Sequence, residues 1–168
     1  MKTNISGLMS MISEMEMDFT SLLSSMKNHV YNTYIQELNG TVNVIEDYKD
    51  DFNREIEESE LLLNKISKLK SILYEKNNTF TLSDGRTIQQ AIVENTNIRK
   101  LKSIYDGILS FRSTKKRVTE VNNSYFECKD VNFDINELKK KSKELGKILQ
   151  KTDFEISKLN SIEFDIDI

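Results

Sequence analysis

The sequence predicts an all-α protein built from long helices, and two observations support this prediction. The 168 residues contain no proline and five glycines, so the residues that break helices are nearly absent. Four long segments place apolar side chains three or four positions apart, which is the spacing of one face of a helix. With 38% hydrophobic and 30% charged residues the composition is that of an ordinary globular protein, and we expect one helical domain over residues 1–168.

Helix 1 is predicted over about residues 4–38. Its apolar stripe consists of Ile5, Leu8, Ile12, Met15, Phe19, Leu22 and Met26. Apolar and aromatic residues beyond this stripe can continue the helix as far as Leu38. Asn39 and Gly40 tolerate the left-handed conformation that often ends a helix, so we place the end of helix 1 there.

Helices 2, 3 and 4 are predicted over about residues 46–76, 88–112 and 135–161. The stripe of helix 2 is Phe52, Ile56, Ser59, Leu63, Ile66, Leu69 and Leu73. The stripe of helix 3 is Ile88, Ala91, Asn95, Ile98, Leu101, Tyr105 and Ile108. The stripe of helix 4 is Leu138, Ser142, Leu145, Leu149, Thr152, Ile156 and Leu159. Asp134 and Glu137 have the spacing of a capping box, which predicts the start of helix 4.

The segment between helices 2 and 3 has the composition of a turn. Residues 79–82 alternate polar and apolar side chains as an extended segment does, and residues 83–85 are turn formers. Thr87 and Gln90 have the spacing of a second capping box. We therefore predict a structural hairpin tip rather than an active site, made of Asp84, Gly85, Arg86 and Thr87.

A second extended segment is predicted over residues 117–129, between helices 3 and 4. Alternating polar and apolar residues flank Asn122 and Asn123, which favour a turn. The segment is either a small hairpin or an extended lid, and its pairing stays open at this point.

Opposite charges predict that helices 2 and 3 form a long antiparallel hairpin. Residues 46–60 hold eight acids and two bases, a net −6, whereas residues 99–117 hold seven bases and one acid, a net +6. A fold about Leu82 places the two segments side by side, so the charges would set the register. We expect helices 1 and 4 to pack along this hairpin as a bundle or coiled coil. Such a rod, about 43 Å long from Tyr48 to Lys76, leaves side chains uncovered, and self-association is expected.

No catalytic, metal or cofactor site is predicted. His29 is the single histidine, so a histidine-rich metal site cannot form within one chain. Cys128, the single cysteine, lies in an alternating apolar stretch with no histidine nearby in sequence. The scattered glycines argue against a phosphate-binding loop, and the acids of helix 2 lack the spacing of a calcium loop. We expect a protein that is not an enzyme and that has neither a cofactor nor a small-molecule substrate.

All six methionines fall within the first 26 residues, which makes helix 1 the candidate interaction surface. The surface consists of Met9, Met11, Met15, Met17, Phe19 and Met26. Helix 1 carries Glu14, Glu16 and Asp18 and almost no bases, so anionic lipid would repel it. A core or oligomer seam is therefore favoured over membrane contact.

Several motifs in the central and C-terminal parts resemble the septicolysin-like family of bacterial proteins. They are Asn77–Asn78, Leu82–Thr87, Glu127–Lys129, Phe133–Ile135 and the spaced residues Asp153, Ile156 and Asn160. The resemblance extends over about residues 72–161. Ser157 and Ser161 stand where the family has glutamine and tryptophan, so no role of that tryptophan carries over. The resemblance implies a helical, oligomeric protein without established catalytic residues, and the haemolysin origin of the family name implies membrane activity as an alternative.

Together these patterns predict a non-enzymatic, intracellular scaffold or interaction protein that binds itself or another helical protein. The alternative is a membrane-active protein that inserts the methionine-rich helix 1. A third function, an RNA-binding helical arm, is indicated by Lys115, Lys116 and Arg117 but disfavoured by the net charge of −3. We expect a cytoplasmic location, because the first residues lack the pattern of a signal peptide and no stretch approaches about 18 apolar residues.

Overall fold

The computed structural model describes residues 1–167 and contains four helices that are longer than any of its strands. The helices are α1 (Ile5–Asn28), α2 (Lys49–Thr79), α3 (Ile88–Ile108) and α4 (Ile135–Asn160). The strands are β1 (Lys2–Thr3), β2 (Thr33–Gln36), β3 (Val42–Glu46), β4 (Thr114–Glu120), β5 (Asn123–Lys129) and β6 (Phe164–Asp165). Helices dominate, as predicted.

The strands form three antiparallel two-stranded sheets, so the fold is not purely α-helical. β1 pairs with β6, β2 with β3 and β4 with β5. We call the β2–β3 hairpin ribbon 1 and the β4–β5 hairpin ribbon 2. Ribbon 2 confirms the extended segment predicted over 117–129 and resolves it as a hairpin. The segment predicted over 79–82 contributes a single bridge, between Thr81 and Thr87.

The chain divides into two compact units where the sequence analysis expects one domain over 1–168, whose last residue lies outside the described range. Unit 1 comprises Met1–Thr79 with Leu159–Ile168, and unit 2 comprises Phe80–Lys158. Unit 1 therefore holds α1, α2 and ribbon 1, whereas unit 2 holds α3 and ribbon 2. Most of α4 belongs to unit 2 as well.

In unit 1 the apolar stripes of α1 and α2 face each other. Leu8 and Ile12 of α1 pack with Leu69 of α2 and with Ile166, and all four side chains are buried. Half-buried apolar residues surround this cluster, namely Met11, Met15, Ile72, Leu73 and Phe164. The predicted stripes thus supply the core of the unit.

The two ends of the described chain are joined in unit 1. Lys2 pairs with Asp165 and Thr3 with Phe164 in the β1–β6 sheet. The N-terminal ammonium of Met1 donates a hydrogen bond of 2.9 Å to the carbonyl of Ile166. These bonds hold Ile166 in place against the α1–α2 core.

The prediction that helix 1 continues to residue 38 is wrong. α1 ends at Asn28, and the residues that follow form ribbon 1. Gly40 has the predicted left-handed conformation, with φ of 91°, but it lies in the hairpin turn rather than at a helix end. The Asn39–Gly40 pair between two short segments that contain β-branched and aromatic residues is itself a hairpin signal in the sequence.

In unit 2, α3 and α4 run antiparallel with polar contacts along their length. The Asn95 amide donates to Asp153 over 2.8 Å near one end of the pair, and Ser142 donates to Asp106 over 2.5 Å near the other. In each contact, a polar residue of one helix's predicted stripe donates to an acid of the other helix. Ile88, Ala91 and Leu149 are the buried apolar residues of these two helices.

The capping box of Thr87 and Gln90 is confirmed, and of the box predicted at helix 4 the structure shows the Asp134 half. The Thr87 hydroxyl accepts a hydrogen bond from the amide of Gln90, whose side chain accepts from the amide of Thr87. At α4, the carboxylate of Asp134 accepts from the amides of Asn136 and Glu137. Each cap satisfies amides that have no partner inside the helix, so these helices begin where predicted.

The predicted pairing of helix 2 with helix 3 would join the two units, and it stays a prediction. The structure shows α1 packed with α2 in unit 1 and α3 with α4 in unit 2. The acids Asp51 and Glu58 pair with Arg54, and the base Arg99 pairs with Asp153. These ion pairs close within their own units, so they give no support to the register that the charges predict. A four-helix bundle or coiled coil stays a prediction.

The protein exposes an unusually large surface. The described residues present 12450 Å² to solvent, whereas two separate compact units of half the chain's mass would expose about 10,300 Å² in total. The difference, about 2,100 Å², exceeds the area of about 800 Å² that each partner contributes to a standard protein interface. No helix in residues 1–167 is both long and apolar enough to cross a bilayer.

Leu69→Ala should remove the centre of the α1–α2 core. Leu69 is fully buried, so the lost contacts and the cavity should lower the free energy of unfolding by about 2–5 kcal/mol. Urea unfolding followed by circular dichroism measures this change. Leu61→Ala, the same substitution at an exposed position of α2, should change it by less than about 0.5 kcal/mol. Equal effects of the two substitutions would contradict the assigned core.

Candidate interaction surfaces

Ribbon 1 exposes apolar side chains on both of its faces. Tyr34 is paired with Val44, and Val42 lies two residues from Val44, so these three side chains share one face. Ile35 lies on the opposite face, and Ile45 is the extra residue at a bulge. All five are exposed, with values from 52% for Val42 to 64% for Val44. A strand of this composition normally has at least one face covered.

The base of ribbon 1 is fixed to the start of α2. The Asn32 side chain donates to the Asp47 carboxylate over 2.8 Å and accepts from the amide of Tyr48 over 2.8 Å. The His29 ring stacks on the Tyr48 ring at a centroid distance of 4.6 Å. Hydrogen bonds and ring stacking therefore hold the base of ribbon 1, whereas both faces of the ribbon are exposed.

Ribbon 2 is longer than ribbon 1, and most of its charged residues are bases. Its register runs from Thr114 opposite Lys129 to Glu120 opposite Asn123, which leaves Val121 and Asn122 as the turn. Its segment holds four bases and two acids, a net +2. The bases are Lys115, Lys116, Arg117 and Lys129.

One face of ribbon 2 combines an exposed aromatic ring with two bases. Arg117 is paired with Phe126, and Lys115 lies two residues away on the same face. The Lys115 ammonium lies over the Phe126 ring, 4.5 Å from its centroid. Phe126 nevertheless remains 58% exposed. The face can therefore accept an apolar partner that brings negative charge.

Both ribbons end in fully exposed aliphatic side chains. Leu38 lies in the turn of ribbon 1 and Val121 in the turn of ribbon 2. Hairpin turns are usually polar, so aliphatic residues at these two positions indicate contact surfaces.

The tip between α2 and α3 is a tight hairpin turn, as predicted. The amide of Gly85 donates to the carbonyl of Leu82 over 3.0 Å, and the amide of Leu82 donates to the carbonyl of Arg86 over 2.8 Å. Gly85 has φ of 88°, in the left-handed region. Ribbon 1 uses the same bonding pattern in its own turn, with Gly40 in place of Gly85.

Arg86 holds the tip together through two carboxylates. Its guanidinium donates to Asp84 over 2.6 Å and also to Glu94 of α3. The hydrogen bonds from Arg86 lower the pKa of Asp84, and the two acids raise the pKa of Arg86. Arg86 is therefore used to shape the tip.

The tip is also tied to α4. The amide and the hydroxyl of Ser83 donate to one carboxylate oxygen of Glu155, over 3.0 and 2.8 Å. These hydrogen bonds lower the pKa of Glu155. The side-chain bonds of Ser83, Asp84 and Arg86 are thus directed at the chain itself, as expected of a structural tip.

Comparison with known proteins places this geometry in a family. A family of unknown function, DUF6847, matches residues 37–164, which is most of the chain. The chain belongs to the DUF6847 family. The match begins in the turn of ribbon 1 and includes β3, α2, α3, ribbon 2 and α4. α1 lies before it.

One solved structure shares the fold seen in this DUF6847 chain. It is described as a functionally unknown conserved protein from Corynebacterium diphtheriae, with 16% identity and a TM-score of 0.65. The alignment covers 98% of this chain and 100% of that one. At this identity the likeness extends to the fold alone. No curated protein matches the chain significantly.

The methionine surface predicted on helix 1 lies outside the DUF6847 match and is divided by the fold. Met11 and Met15 pack against the core of unit 1. Phe19 and Met26 are half-buried. Met9 and Met17 are exposed, at 53% and 65%, so these two are the members available to a partner.

Sequence reasoning missed a buried polar cluster between α1 and α2. Glu55 of α2 is buried and accepts a hydrogen bond of 2.6 Å from Ser25 of α1. The Nδ1 atom of His29 lies 3.1 Å from the same carboxylate. The hydrogen bond from Ser25, followed by the contact with His29, lowers the pKa of Glu55. Glu55 belongs to the acidic run of helix 2, so composition alone places it on a solvated face.

The order of contacts in this cluster differs from that of a catalytic triad. In a triad the histidine lies between the serine and the carboxylate, where it can take the serine proton. Here the carboxylate of Glu55 lies between Ser25 and His29, and it accepts the hydrogen bond of the Ser25 hydroxyl directly. Cys128 is exposed on β5, opposite Lys115. Within residues 1–167 no group of three histidine, cysteine or acidic side chains could hold a metal.

Gly85→Ala should destabilise the tip even though space is available. No heavy atom lies within 4 Å of the position that a Cβ would take, but the left-handed backbone should cost about 1–2 kcal/mol of unfolding free energy. Gly85→Val should cost at least as much. The matched control is Gly107→Ala in α3, where space is also free and no left-handed conformation occurs. The control should stabilise by about 0.4–1 kcal/mol. Unchanged thermal stability of both Gly85 variants would contradict this assignment.

Acid should weaken the contribution of Glu55 to stability. Its pKa is lowered in the folded protein from the ordinary value of 4.5, so the folded state binds the proton more weakly than the unfolded state. The stabilisation is therefore present above that value and is lost as pH falls through the lowered pKa. Glu55→Gln should reduce the unfolding free energy at pH 7, and its difference from wild type should shrink on acidification. Glu57→Gln, at an exposed position of the same helix, should show no such trend in urea titrations repeated across pH.

Proposed function

We propose that the protein is a non-enzymatic interaction protein or scaffold that associates with copies of itself. The observation that carries this proposal is the uncovered apolar surface of ribbon 1, where both faces of one hairpin are exposed. An isolated two-stranded hairpin is marginally stable in water, and it gains stability when another element covers it. Association supplies that cover.

The energetics support association through several surfaces together. Burying a whole valine or isoleucine side chain is worth about 1.5–3 kcal/mol, and those of ribbon 1 are about half exposed. Their burial alone would roughly match the lower estimates of the cost of association, about 4 kcal/mol. Further exposed apolar residues lie on every helix. They include Met9 and Met17 on α1, Leu61 on α2, Ile104 on α3 and Phe154 on α4.

The membrane-active alternative depends on the resemblance to the septicolysin-like family, which stays a proposal. In the described structure α1 uses Met11 and Met15 in the core, and Glu16 pairs with Lys70 of α2. Inserting α1 into a bilayer would break these contacts. Intracellular location and the absence of enzymatic activity likewise stay part of the proposal.

Self-association is tested by the molar mass in solution. We expect a mass of at least two chains at micromolar concentration, because the exposed surface exceeds that of two compact units. Multi-angle light scattering across a dilution series measures the mass and its concentration dependence. A mass of one chain at all concentrations up to about 100 μM, which corresponds to roughly 5.5 kcal/mol of binding free energy, would remove the proposal.

A further inference from the structure

The two ribbons carry opposite charge. Residues 33–47, which include ribbon 1, hold three acids and no base, whereas residues 114–129 of ribbon 2 hold a net +2. The acids of the first segment are Glu37, Glu46 and Asp47, and all three are exposed. Opposite charge of this kind steers two surfaces together and selects against like pairing.

The two ribbons also offer complementary apolar surface. On ribbon 1, Tyr34, Val42 and Val44 share an exposed face. On ribbon 2, Phe126 is the exposed apolar side chain of a face whose other large members are Lys115 and Arg117. An apolar face with acids near both of its ends therefore matches an aromatic face with two bases.

Both ribbons have backbone edges available for pairing. Each is a sheet of two strands, so each strand has one edge that is not hydrogen-bonded to its neighbour. Proteins use such edges to add strands from a second molecule. The ribbons can thus combine edge pairing with the face contacts described above.

We propose that ribbon 1 of one copy binds ribbon 2 of a second copy. This inference rests on the proposed self-association and names the surfaces that perform it. The contact joins two different surfaces of the chain, so it is heterologous when it forms once per pair of copies and part of an isologous interface when it forms reciprocally. Two reciprocal contacts close a dimer, whereas a single contact per pair of copies extends into a chain.

A second copy fits ribbon 2 better than an anionic polymer does. Glu120 and Glu127 lie on ribbon 2 itself, and the whole chain has a net charge of −3. The two acids reduce the attraction of ribbon 2 for a polyanion, and the net negative charge of the chain opposes the approach of a nucleic acid or an anionic membrane. Pairing of ribbon 1 with ribbon 1 would bring acids together, and pairing of ribbon 2 with ribbon 2 would bring bases together.

Cross-linking between two distinguishable copies tests the contact. One copy carries Val44→Cys and Cys128→Ser, and the other is the wild type with its exposed Cys128. A short bis-maleimide reagent should join the two in a mixture, and differently sized tags identify the product on a gel. The matched control replaces Val44→Cys with Ser67→Cys, at an exposed position of α2, and should give at least about fivefold less product.

The outcomes separate the inference from the proposed function. A mixed product that is absent from the control supports the contact. Cross-linking of wild type with itself through Cys128 would show that ribbon 2 pairs with ribbon 2 and would overturn the contact. An oligomer by light scattering that gives no mixed product would also overturn the contact, while leaving self-association in place. A strict monomer would remove both.

Charge reversal gives an independent test. Lys115→Glu with Arg117→Glu should weaken self-association by at least about fivefold in sedimentation experiments at low salt. A copy with Glu37→Lys and Glu46→Lys should restore binding to that variant. The same variants are tested for binding to a 20-residue oligouridylate and to phosphatidylserine vesicles. Binding to either probe that the double variant loses, with self-association unchanged, would assign ribbon 2 to that partner and overturn the proposal.

Discussion

A pair of helices can bury only the stripe of each helix that faces the other, and this limit governs the whole molecule. In unit 1 the stripe holds Leu8, Ile12 and Leu69, and Ile166 from the far end of the chain completes it. Outside this stripe both helices retain exposed apolar residues such as Met17 and Leu61. The ribbons also have apolar surface that the fold does not cover, because a two-stranded sheet has two faces and no second layer. Contact with another molecule would cover both kinds of surface.

Polar contacts determine how the helices of unit 2 are paired. Asn95 with Asp153, Lys102 beside Gly146 and Asp106 with Ser142 follow one antiparallel register along α3 and α4. Apolar side chains can slide past one another at little cost, whereas a buried amide or hydroxyl needs its own partner. The end of the Lys102 side chain lies beside Gly146, 3.5 Å from the position that a Cβ there would take. These contacts select one register where the apolar stripe alone would allow several.

The same turn occurs twice with different consequences. Asn39–Gly40 and Asp84–Gly85 both place a glycine in the left-handed region after a polar residue. Around Gly85 the turn joins two helices and is held by Arg86, so its residues serve the fold. Around Gly40 the turn closes a free-standing hairpin and presents Leu38 to solvent. The local chemistry is the same, and the flanking residues decide whether the turn is packed into the fold or exposed to solvent.

The features that depend only on neighbours along the chain follow from the sequence alone. Helix periodicity, the cap of Thr87 with Gln90 and the tip at Gly85 are local, since each is decided by residues within a few positions. The hairpin of ribbon 1 was equally local, but its apolar residues also fitted a helical continuation of α1, and Asn39–Gly40 was assigned to a helix end. Only the tertiary structure decided that α1 packs with α2, that Glu55 is buried beside Ser25, and that the ribbon faces stay uncovered. Those facts depend on which distant stripes and polar groups meet, and no pattern of neighbouring residues specifies that.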